Sequence, residues 1–311
     1  MDERQSAPVR RVGWVGAGRM GGPMALGLLR AGFEVRVCDS DPARRRALEE
    51  QGLVVAGSPG EVAAGADAVV LMLPSDDALR SVVDAEGLLG DLTPGQVLID
   101  MGTSKLATSR RVAELASARG VPMLDAPVSG GEQGAREGTL SIMVGGDPLA
   151  FERCRPLFAA LGRTITYLGV QGLGLVAKYV NQMLMEATFC AVAEAFALAA
   201  KAGADLERIY AAVRGGLGGS RVLDLALAQL LAGDLGSGRE LTLHHKDGAY
   251  ALAAAESLGV WAPVTQLSHT LFDEALRAGW GEQSAVAVAR LFEQRAGVRL
   301  VQPGPRESAK G

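Results

Sequence analysis

Near its N-terminus the chain reads Val12-Gly13-Trp14-Val15-Gly16-Ala17-Gly18-Arg19-Met20-Gly21. A short apolar run is followed at once by a G-x-G-x-x-G spacing, and a helical pattern begins after it. Gly16 permits a tight turn, Gly18 lets the backbone approach a pyrophosphate, and Gly21 allows close packing of helix on strand. The N-terminus of the helix then faces the anion. We therefore predict a dinucleotide site formed by Gly16, Ala17, Gly18, Arg19, Met20 and Gly21.

An acidic residue, Asp39, ends the second predicted strand 23 residues after Gly16. A carboxylate at this place holds the ribose hydroxyls of NAD. Ser40 and Asp41 follow it instead of an arginine, which favours NAD, whereas the nearby arginines 44–46 keep NADP as an alternative. A second alternative is that the glycines serve only a turn and that Asp39 only caps the next helix.

The first half of the chain alternates short buried strands with helix-length segments. We predict strands at residues 12–15, 35–38, 68–73, 97–100, 123–125, 140–144 and 164–167. Such alternation indicates an α/β fold with a parallel sheet. A long helix over residues 175–201 follows, and all later patterns are helical. We predict a dinucleotide-binding domain at residues 9–170, an all-helical domain at 171–300 joined to it by the long helix, and a disordered tail at 301–311.

Composition excludes several classes of protein. A chain of 311 residues with 48% hydrophobic residues and a formal net charge of -4 has no basic footprint for nucleic acid. The longest apolar stretch, residues 183–200, is interrupted by Glu186 and Glu194, so no membrane span is expected. Arg19 interrupts the N-terminal apolar run, which has no plausible cleavage signal, so no secretory signal is expected. Cys38, Cys154 and Cys190 are odd in number and widely spaced, which favours reduced thiols in the cytoplasm. No His, Cys or acidic cluster has the spacing of metal ligands.

A second glycine-rich segment, Asp125-Ala126-Pro127-Val128-Ser129-Gly130-Gly131, follows a predicted strand. Two glycines after a serine expose backbone N–H groups, which can bind a carboxylate together with the serine hydroxyl. We predict that Ser129, Gly130 and Gly131 bind substrate. The alternative is a plain connecting loop.

The long helix carries three polar residues on one face of an otherwise apolar pattern. Lys178, Asn181 and Gln182 stand at i, i+3 and i+4. A buried, unpaired ammonium would be costly, and desolvation lowers the pKa of a lysine towards the range that suits proton transfer near neutral pH. Only five of the 31 basic residues are lysines. Because arginine stays charged, a lysine at this place favours a role for an amine that can lose its proton. An ordinary surface lysine is the alternative.

Taken together, these segments resemble the β-hydroxyacid dehydrogenase family over about residues 11–290. The resemblance rests on six ordered segments: residues 16–24, Leu71-Met72-Leu73-Pro74, Asp100-Met101-Gly102-Thr103, residues 125–131 with Gly138-Thr139-Leu140, the Lys178 helix, and Lys246-Asp247. The resemblance implies a Rossmann-type N-terminal domain, a helical C-terminal domain and an active site in the cleft between them.

The resemblance also implies roles for individual residues. Lys178 would be the catalytic acid/base, and Ser129, Gly130, Asn181 and Gln182 would hold the substrate. Leu73, Pro74 and Thr103 would line the cofactor site, and Lys246 would approach the nicotinamide end. The chain departs from the family pattern at two places in the loop after residue 101. Gly102 replaces a frequent serine and Ser104-Lys105 replace a frequent proline, so the resemblance does not extend to substrate contacts from this loop.

The resulting prediction is an NAD-dependent enzyme, with NADP possible, that interconverts a small 3-hydroxycarboxylate and its semialdehyde, of the 3-hydroxyisobutyrate or tartronate semialdehyde type. One alternative is a glyoxylate or succinic semialdehyde reductase that uses NADPH. Another is a dinucleotide-binding scaffold without catalysis. Alanine- and leucine-rich stretches at residues 222–231 and 250–255 predict a homo-oligomer, either dimer or tetramer.

Overall fold

The computed structural model describes residues 7–84, 87–236 and 241–301. The chain divides into two units, Met1–Lys178 and Tyr179–Gly311. The division falls inside the long helix, eight residues after the predicted boundary, and the boundary at residue 170 stays a prediction. Apart from Val301, the predicted tail lies outside the described residues.

The first unit is built on one sheet. Its strands are β1 (Arg11–Val15), β2 (Glu34–Cys38), β3 (Val54–Val55), β4 (Ala68–Leu71), β5 (Val97–Asp100), β6 (Met123–Asp125), β7 (Val128–Ser129), β8 (Leu140–Gly146) and β9 (Gly162–Gly169). They lie in the order β3-β2-β1-β4-β5-β6-β8-β7, and β9 pairs with β8. The strands from β3 to β6 are parallel, whereas β8 runs antiparallel to β6 and β7. The predicted α/β fold with a parallel sheet is confirmed.

Helices connect these strands and cover the sheet. They are α1 (Gly21–Arg30), α2 (Pro42–Glu49), α3 (Pro59–Ala63), α4 (Asp76–Val83), α5 (Leu88–Asp91), α6 (Leu106–Ser117), α7 (Gly131–Glu137) and α8 (Pro148–Leu161). The side chains of Asp41, Ser58, Ser75 and Asp147 cap four of them at the N-terminus. Two buried apolar clusters pack against the sheet, one of them around Trp14 and Phe158. The strand order changes direction between β1 and β4, because β2 and β3 lie on one side of this pair and β5 and β6 lie on the other. Ligands bind beyond the carboxyl ends of the strands at such a point.

The long helix is α9 (Leu173–Lys201), and it passes from the first unit into the second. By length and composition alone it could cross a membrane. Its apolar residues Phe189, Ala193 and Phe196 instead belong to the buried core of the second unit. The helix therefore has the packing of a core helix in a folded protein.

The second unit is helical throughout its described part, as predicted. After α9 come α10 (Leu206–Val213), α11 (Arg221–Ala232), α12 (Leu241–Ser257), α13 (Pro263–Arg277), a 3₁₀ turn (Ala285–Val288) and α14 (Ala289–Ala296). The largest fully buried side chain of its core is Phe272. Pro263 stands at the first position of α13, where proline is tolerated because that position needs no backbone N–H.

The strand predictions differ from the structure at a few ends. The strand predicted at residues 68–73 ends at Leu71, because Leu73 and Pro74 lead into the Ser75 cap of α4. The strands β8 and β9 are longer than predicted, and β3 and β7 were not predicted. Each of those two strands has two residues, which is too short to show an alternating pattern.

Candidate active site

The glycine-rich turn between β1 and α1 lies at the carboxyl end of the sheet. Gly16 has a φ of +92°, and a Cβ there would lie 2.5 Å from the carbonyl oxygen of Met72, so only glycine fits. The Gly16 N–H donates to the Cys38 oxygen at 2.9 Å, and Trp14 Nε1 donates to the Gly16 oxygen at 2.9 Å. No side chain of the described residues caps α1. A helix N-terminus left open in this way can receive a pyrophosphate, so these residues fit the predicted dinucleotide.

Asp39 lies at the end of β2 and is 6% exposed. Its Oδ2 accepts the N–H of Ala17 at 2.6 Å, and its Oδ1 accepts the N–H of Asp41 at 2.8 Å. The guanidinium of Arg44 lies 3.6 Å from Asp39 Oδ1 and 3.4 Å from Asp41 Oδ2. Asp39 therefore braces the glycine-rich turn, while its carboxylate still has lone pairs for ribose hydroxyls.

The loops after β4 and β5 carry the other predicted cofactor residues of this unit. Leu73 and Thr103 are partly buried, and Pro74 is exposed. Asp100 holds the second loop, because it accepts the Gly102 N–H at 3.0 Å and the Ser104 hydroxyl at 3.1 Å. Gly102 and Ser104, two of the residues that depart from the family pattern, thus belong to a turn that is hydrogen-bonded to Asp100.

The predicted substrate loop is held by a short hairpin pairing. Ser129 ends β7 and stands opposite Ser141 of β8. Gly130 follows with a φ of +135° and Gly131 with a φ of +67°, which are conformations that L side chains rarely adopt. The strand therefore stops at Ser129, and the chain turns directly into α7.

Lys178 is brought to the same loop from α9. Its side chain is only 2% exposed, and its Nζ donates to the carbonyl oxygen of Val128 at 3.0 Å. Val128 precedes Ser129, so the amine lies beside the predicted carboxylate-binding loop. The alternative of a surface lysine is wrong, because the ammonium is buried against a backbone carbonyl.

The remaining predicted site residues lie in the second unit. Gln182 is 1% exposed, and its Nε2 donates to Asp247 Oδ2 at 2.8 Å, while its Oε1 accepts from Asn181 at 3.0 Å. Lys246 pairs with the other oxygen of Asp247 at 2.9 Å. Asp247 therefore links Gln182 on α9 to Lys246 on α12.

The sequence reasoning missed a buried acid in this unit, Glu186 of α9. It is fully buried, and neither of its carboxylate oxygens has a hydrogen-bond partner within the described residues. His269 Nδ1 lies 3.8 Å from its Oε2, which is longer than a hydrogen bond. A Cβ at Gly248 would collide with the carboxylate, so glycine at 248 makes room for it. Burial raises the pKa of Glu186, His269 opposes that shift, and Asp247 adds to it.

We expect Glu186 to make stability depend on pH. Because its pKa is raised on folding, the folded state binds more protons than the unfolded chain above the ordinary glutamate pKa, and stability falls as pH rises through the raised value. Glu186→Gln cannot ionise, so its Tm relative to the unmodified chain should rise as the pH increases above the ordinary glutamate pKa. Calorimetry at several pH values measures this. Glu194→Gln, at an exposed position on the same helix, is the control, and its difference in Tm from the unmodified chain should not change with pH.

Comparisons with known protein families cover almost the whole described chain. The model of the NAD binding domain of 6-phosphogluconate dehydrogenase matches residues 11–169. The model described as NAD-binding of NADP-dependent 3-hydroxyisobutyrate dehydrogenase matches residues 172–292. The two matches meet near the start of α9.

Individual relatives align over nearly their full length. The 2-hydroxy-3-oxopropionate reductase of Escherichia coli is 36% identical over 93% of this chain and 99% of its own. The NAD-dependent L-serine dehydrogenase of Pseudomonas aeruginosa is 34% identical over 93% of this chain and 100% of its own. The structure of Mycobacterium tuberculosis 3-hydroxyisobutyrate dehydrogenase with L-serine superimposes with a TM-score of 0.83 at 29% identity, covering 91% of this chain and 99% of that one.

Proposed function

Because the chain belongs to the β-hydroxyacid dehydrogenase family of NAD(P)-dependent oxidoreductases acting on CH–OH groups, we propose that Lys178 is the acid/base of a small 3-hydroxycarboxylate dehydrogenase. The reaction interconverts the hydroxy acid and its semialdehyde. The observation that carries the proposal is the buried Lys178 amine bonded to the Val128 carbonyl oxygen, one residue before Ser129. It places a proton-transfer group beside a loop suited to a carboxylate.

The proton step belongs to Lys178. When bound, the nicotinamide ring supplies or accepts the hydride at the carbon of the substrate carbonyl. In reduction the ammonium of Lys178 donates a proton to the carbonyl oxygen, and in oxidation the neutral amine takes the proton from the hydroxyl. The protein's task is to orient the substrate and to move this proton.

Substrate orientation falls to the loop after β7 and to the amides on α9. The Ser129 hydroxyl and the N–H groups of Gly130 and Gly131 bind the substrate carboxylate. Asn181 contributes an amide to the substrate. Gln182 acts through its hydrogen bond to Asp247, which also holds Lys246 by an ion pair at 2.9 Å.

NAD is the cofactor that the residues around β2 favour. The Asp39 carboxylate is suited to ribose hydroxyls and would repel the 2′-phosphate of NADP. Arg44 is already shared by two carboxylates, at 3.6 Å from Asp39 and 3.4 Å from Asp41. Binding of a 2′-phosphate by Arg44 would therefore compete with these two acidic partners.

The substrate is a short acid with an oxygen function at carbon 3. The relatives are named for 2-hydroxy-3-oxopropionate (tartronate semialdehyde), 3-hydroxyisobutyrate and L-serine, which share a carboxylate and a carbonyl or hydroxyl two carbons away. We favour the tartronate semialdehyde or methylmalonate semialdehyde type.

An absorbance assay of the reduced nicotinamide tests the proposal. NADH and NADPH are offered in turn with tartronate, methylmalonate and succinic semialdehydes and with glyoxylate, and NAD is offered with L-serine. We expect turnover of a three-carbon or four-carbon 3-oxo acid, faster with NADH. Turnover restricted to NADPH with succinic semialdehyde or glyoxylate would support the alternative reductase. Cofactor binding without any turnover would support a scaffold.

We also propose that the protein is a homo-oligomer and that it lies in the cytoplasm. Five apolar side chains in the connection from α12 to α13 and in the first turns of α13 are more than half exposed: Leu258, Val260, Trp261, Val264 and Leu267. An exposed apolar patch of this kind is typical of an interface, and we assign it to a second copy in a homo-oligomer, either dimer or tetramer. Light scattering that gives a monomer mass at micromolar concentration would contradict this. The three cysteines are buried free thiols, which supports a reducing cytoplasm.

A further inference from the structure

Asp125 ends β6 and begins the segment that leads to the substrate loop. It is fully buried. Its Oδ1 accepts the N–H of Gly172 at 2.7 Å, and its Oδ2 accepts the N–H of Leu175 at 2.8 Å. The Leu175 N–H lies in the first turn of α9 and the Gly172 N–H lies one residue before the helix, where backbone donors have no partner within the helix. One carboxylate thus fastens the helix that carries Lys178 to the central sheet.

The same residues form a closed ring of bonds. From Asp125 the side chain reaches Leu175, and one helical turn leads from there to Lys178. The Lys178 Nζ bonds back to the Val128 oxygen at 3.0 Å, and the backbone returns through two residues to Asp125. A ring of this kind fixes both the rotation of the first turn of α9 and its distance from the loop.

Two glycines leave the room that this carboxylate needs. A Cβ at Gly145 of β8 would lie 2.7 Å from Asp125 Oδ1, and a Cβ at Gly174 would lie 2.9 Å from Oδ2. Side chains at either position would push the helix start away from β6. The close approach of three backbone segments therefore depends on the carboxylate at 125 and on small neighbours.

We propose that Asp125 is a positioning residue that sets where the Lys178 amine stands relative to Ser129 and Gly130. The inference deepens the function proposed above and rests on it. A displacement of about 1 Å at a reacting group can cost about 10²-fold in rate. Loss of the two N–H bonds should therefore lower the rate through the position of the Lys178 amine.

The charge of Asp125 gives the inference a pH signature. Burial raises the pKa of this carboxyl to about 6, against the pull of the backbone N–H groups. The elements packed against it carry the charged groups Lys178 on α9, Arg110 on α6, whose side chain lies beside Gly172, and Asp100, its partner in register on β5. Asp100 is occupied by Gly102 and Ser104. Above pH 6 the ionised carboxylate accepts both N–H groups, and below pH 6 the protonated form holds them less well.

Asp125→Asn tests this directly. The amide keeps the shape and one acceptor but lacks the second, so we expect kcat to fall by about 10-fold to 100-fold with the cofactor Kd changed less than about twofold. The unmodified enzyme should approach the low rate of the variant as pH drops below 6, and the two should diverge above it. Asp205→Asn is the matched control, because Asp205 caps α10 through the Arg208 N–H at 3.1 Å but is exposed.

A readout independent of turnover separates this inference from the proposed function. The chain has five lysines, so 13C-lysine spectra are simple, and Lys178→Arg assigns the signal. Asp125→Asn should shift the Lys178 resonance, and Asp205→Asn should not. If Asp125→Asn shifts the Lys178 resonance while Lys178→Ala keeps its activity, Asp125 positions the amine but Lys178 is not the acid/base. If Lys178→Ala is inactive but Asp125→Asn leaves rate and resonance unchanged, the inference is overturned. Should Asp125→Asn not fold, an unmodified enzyme with no reversible fall in rate around pH 6 overturns it as well.

Discussion

Lys178→Ala is expected to lower kcat by about 10²-fold or more, because general acid–base catalysis by one side chain contributes about that factor. The amine is 2% exposed and bonded to the Val128 oxygen, so no water or neighbouring lysine can replace it easily. The cofactor Kd should change little, because the predicted cofactor residues of the first unit lie at the ends of β1, β2, β4 and β5. Steady-state kinetics and cofactor titration by fluorescence measure the two quantities separately.

The control for this prediction lies on the same helix. Lys201 also donates its Nζ to a backbone carbonyl, that of Ala296 at 2.8 Å, but it is exposed at the far end of α9. Lys201→Ala should keep kcat. Lys178→Arg should be as poor as Lys178→Ala, since a guanidinium stays charged and cannot cycle a proton. Near-normal turnover of Lys178→Ala would refute the acid/base assignment.

Much of the fold could be predicted because its signals are local. The strand-turn-helix order around Gly16 and the long helix without glycine or proline after Leu175 each depend on adjacent residues. Boundaries were less accurate where a helix cap or a neighbouring strand decides them and the apolar pattern does not. The end of β4 at Leu71 is set by the following Leu73-Pro74 and the Ser75 cap, and two-residue strands such as β7 exist only because β8 lies beside them.

The site was predictable as a set of residues but not as a set of contacts. The burial of Lys178 was inferred from an apolar helix face, whereas its partner, a backbone oxygen 50 residues away, carries no sequence signal. The same holds for Asp125, which binds N–H groups 47 and 50 residues further on. Gly248 carries no signal in the sequence, and only the structure shows that the Glu186 carboxylate occupies the space where a side chain at 248 would lie. Long-range pairs of this kind leave no periodicity in the chain.

Asp39→Asn is expected to change cofactor preference. The carboxylate accepts the Ala17 N–H at 2.6 Å and the Asp41 N–H at 2.8 Å, and it would accept ribose hydroxyls as an anion. Hydrogen bonds to a charged group contribute about 1.5–3 kcal/mol, so NAD affinity should fall by about 10-fold to 100-fold. NADP should bind better than before, because the negative charge that repels its 2′-phosphate is gone. The Kd values of both cofactors, measured by titration, give the ratio.

Arg44 offers a second explanation for a change in cofactor preference, because it contacts both Asp39 and Asp41 and would be released by loss of either charge. If a released guanidinium alone improves NADP binding, Asp41→Asn should shift the ratio as much as Asp39→Asn does. If the ribose contact matters, only Asp39→Asn should weaken NAD, because Asp41 is the N-cap of α2 and makes no hydrogen bond to the glycine-rich turn within the described residues. We expect the second result. An unchanged ratio of the two Kd values in Asp39→Asn would show that this carboxylate braces the turn without selecting the cofactor.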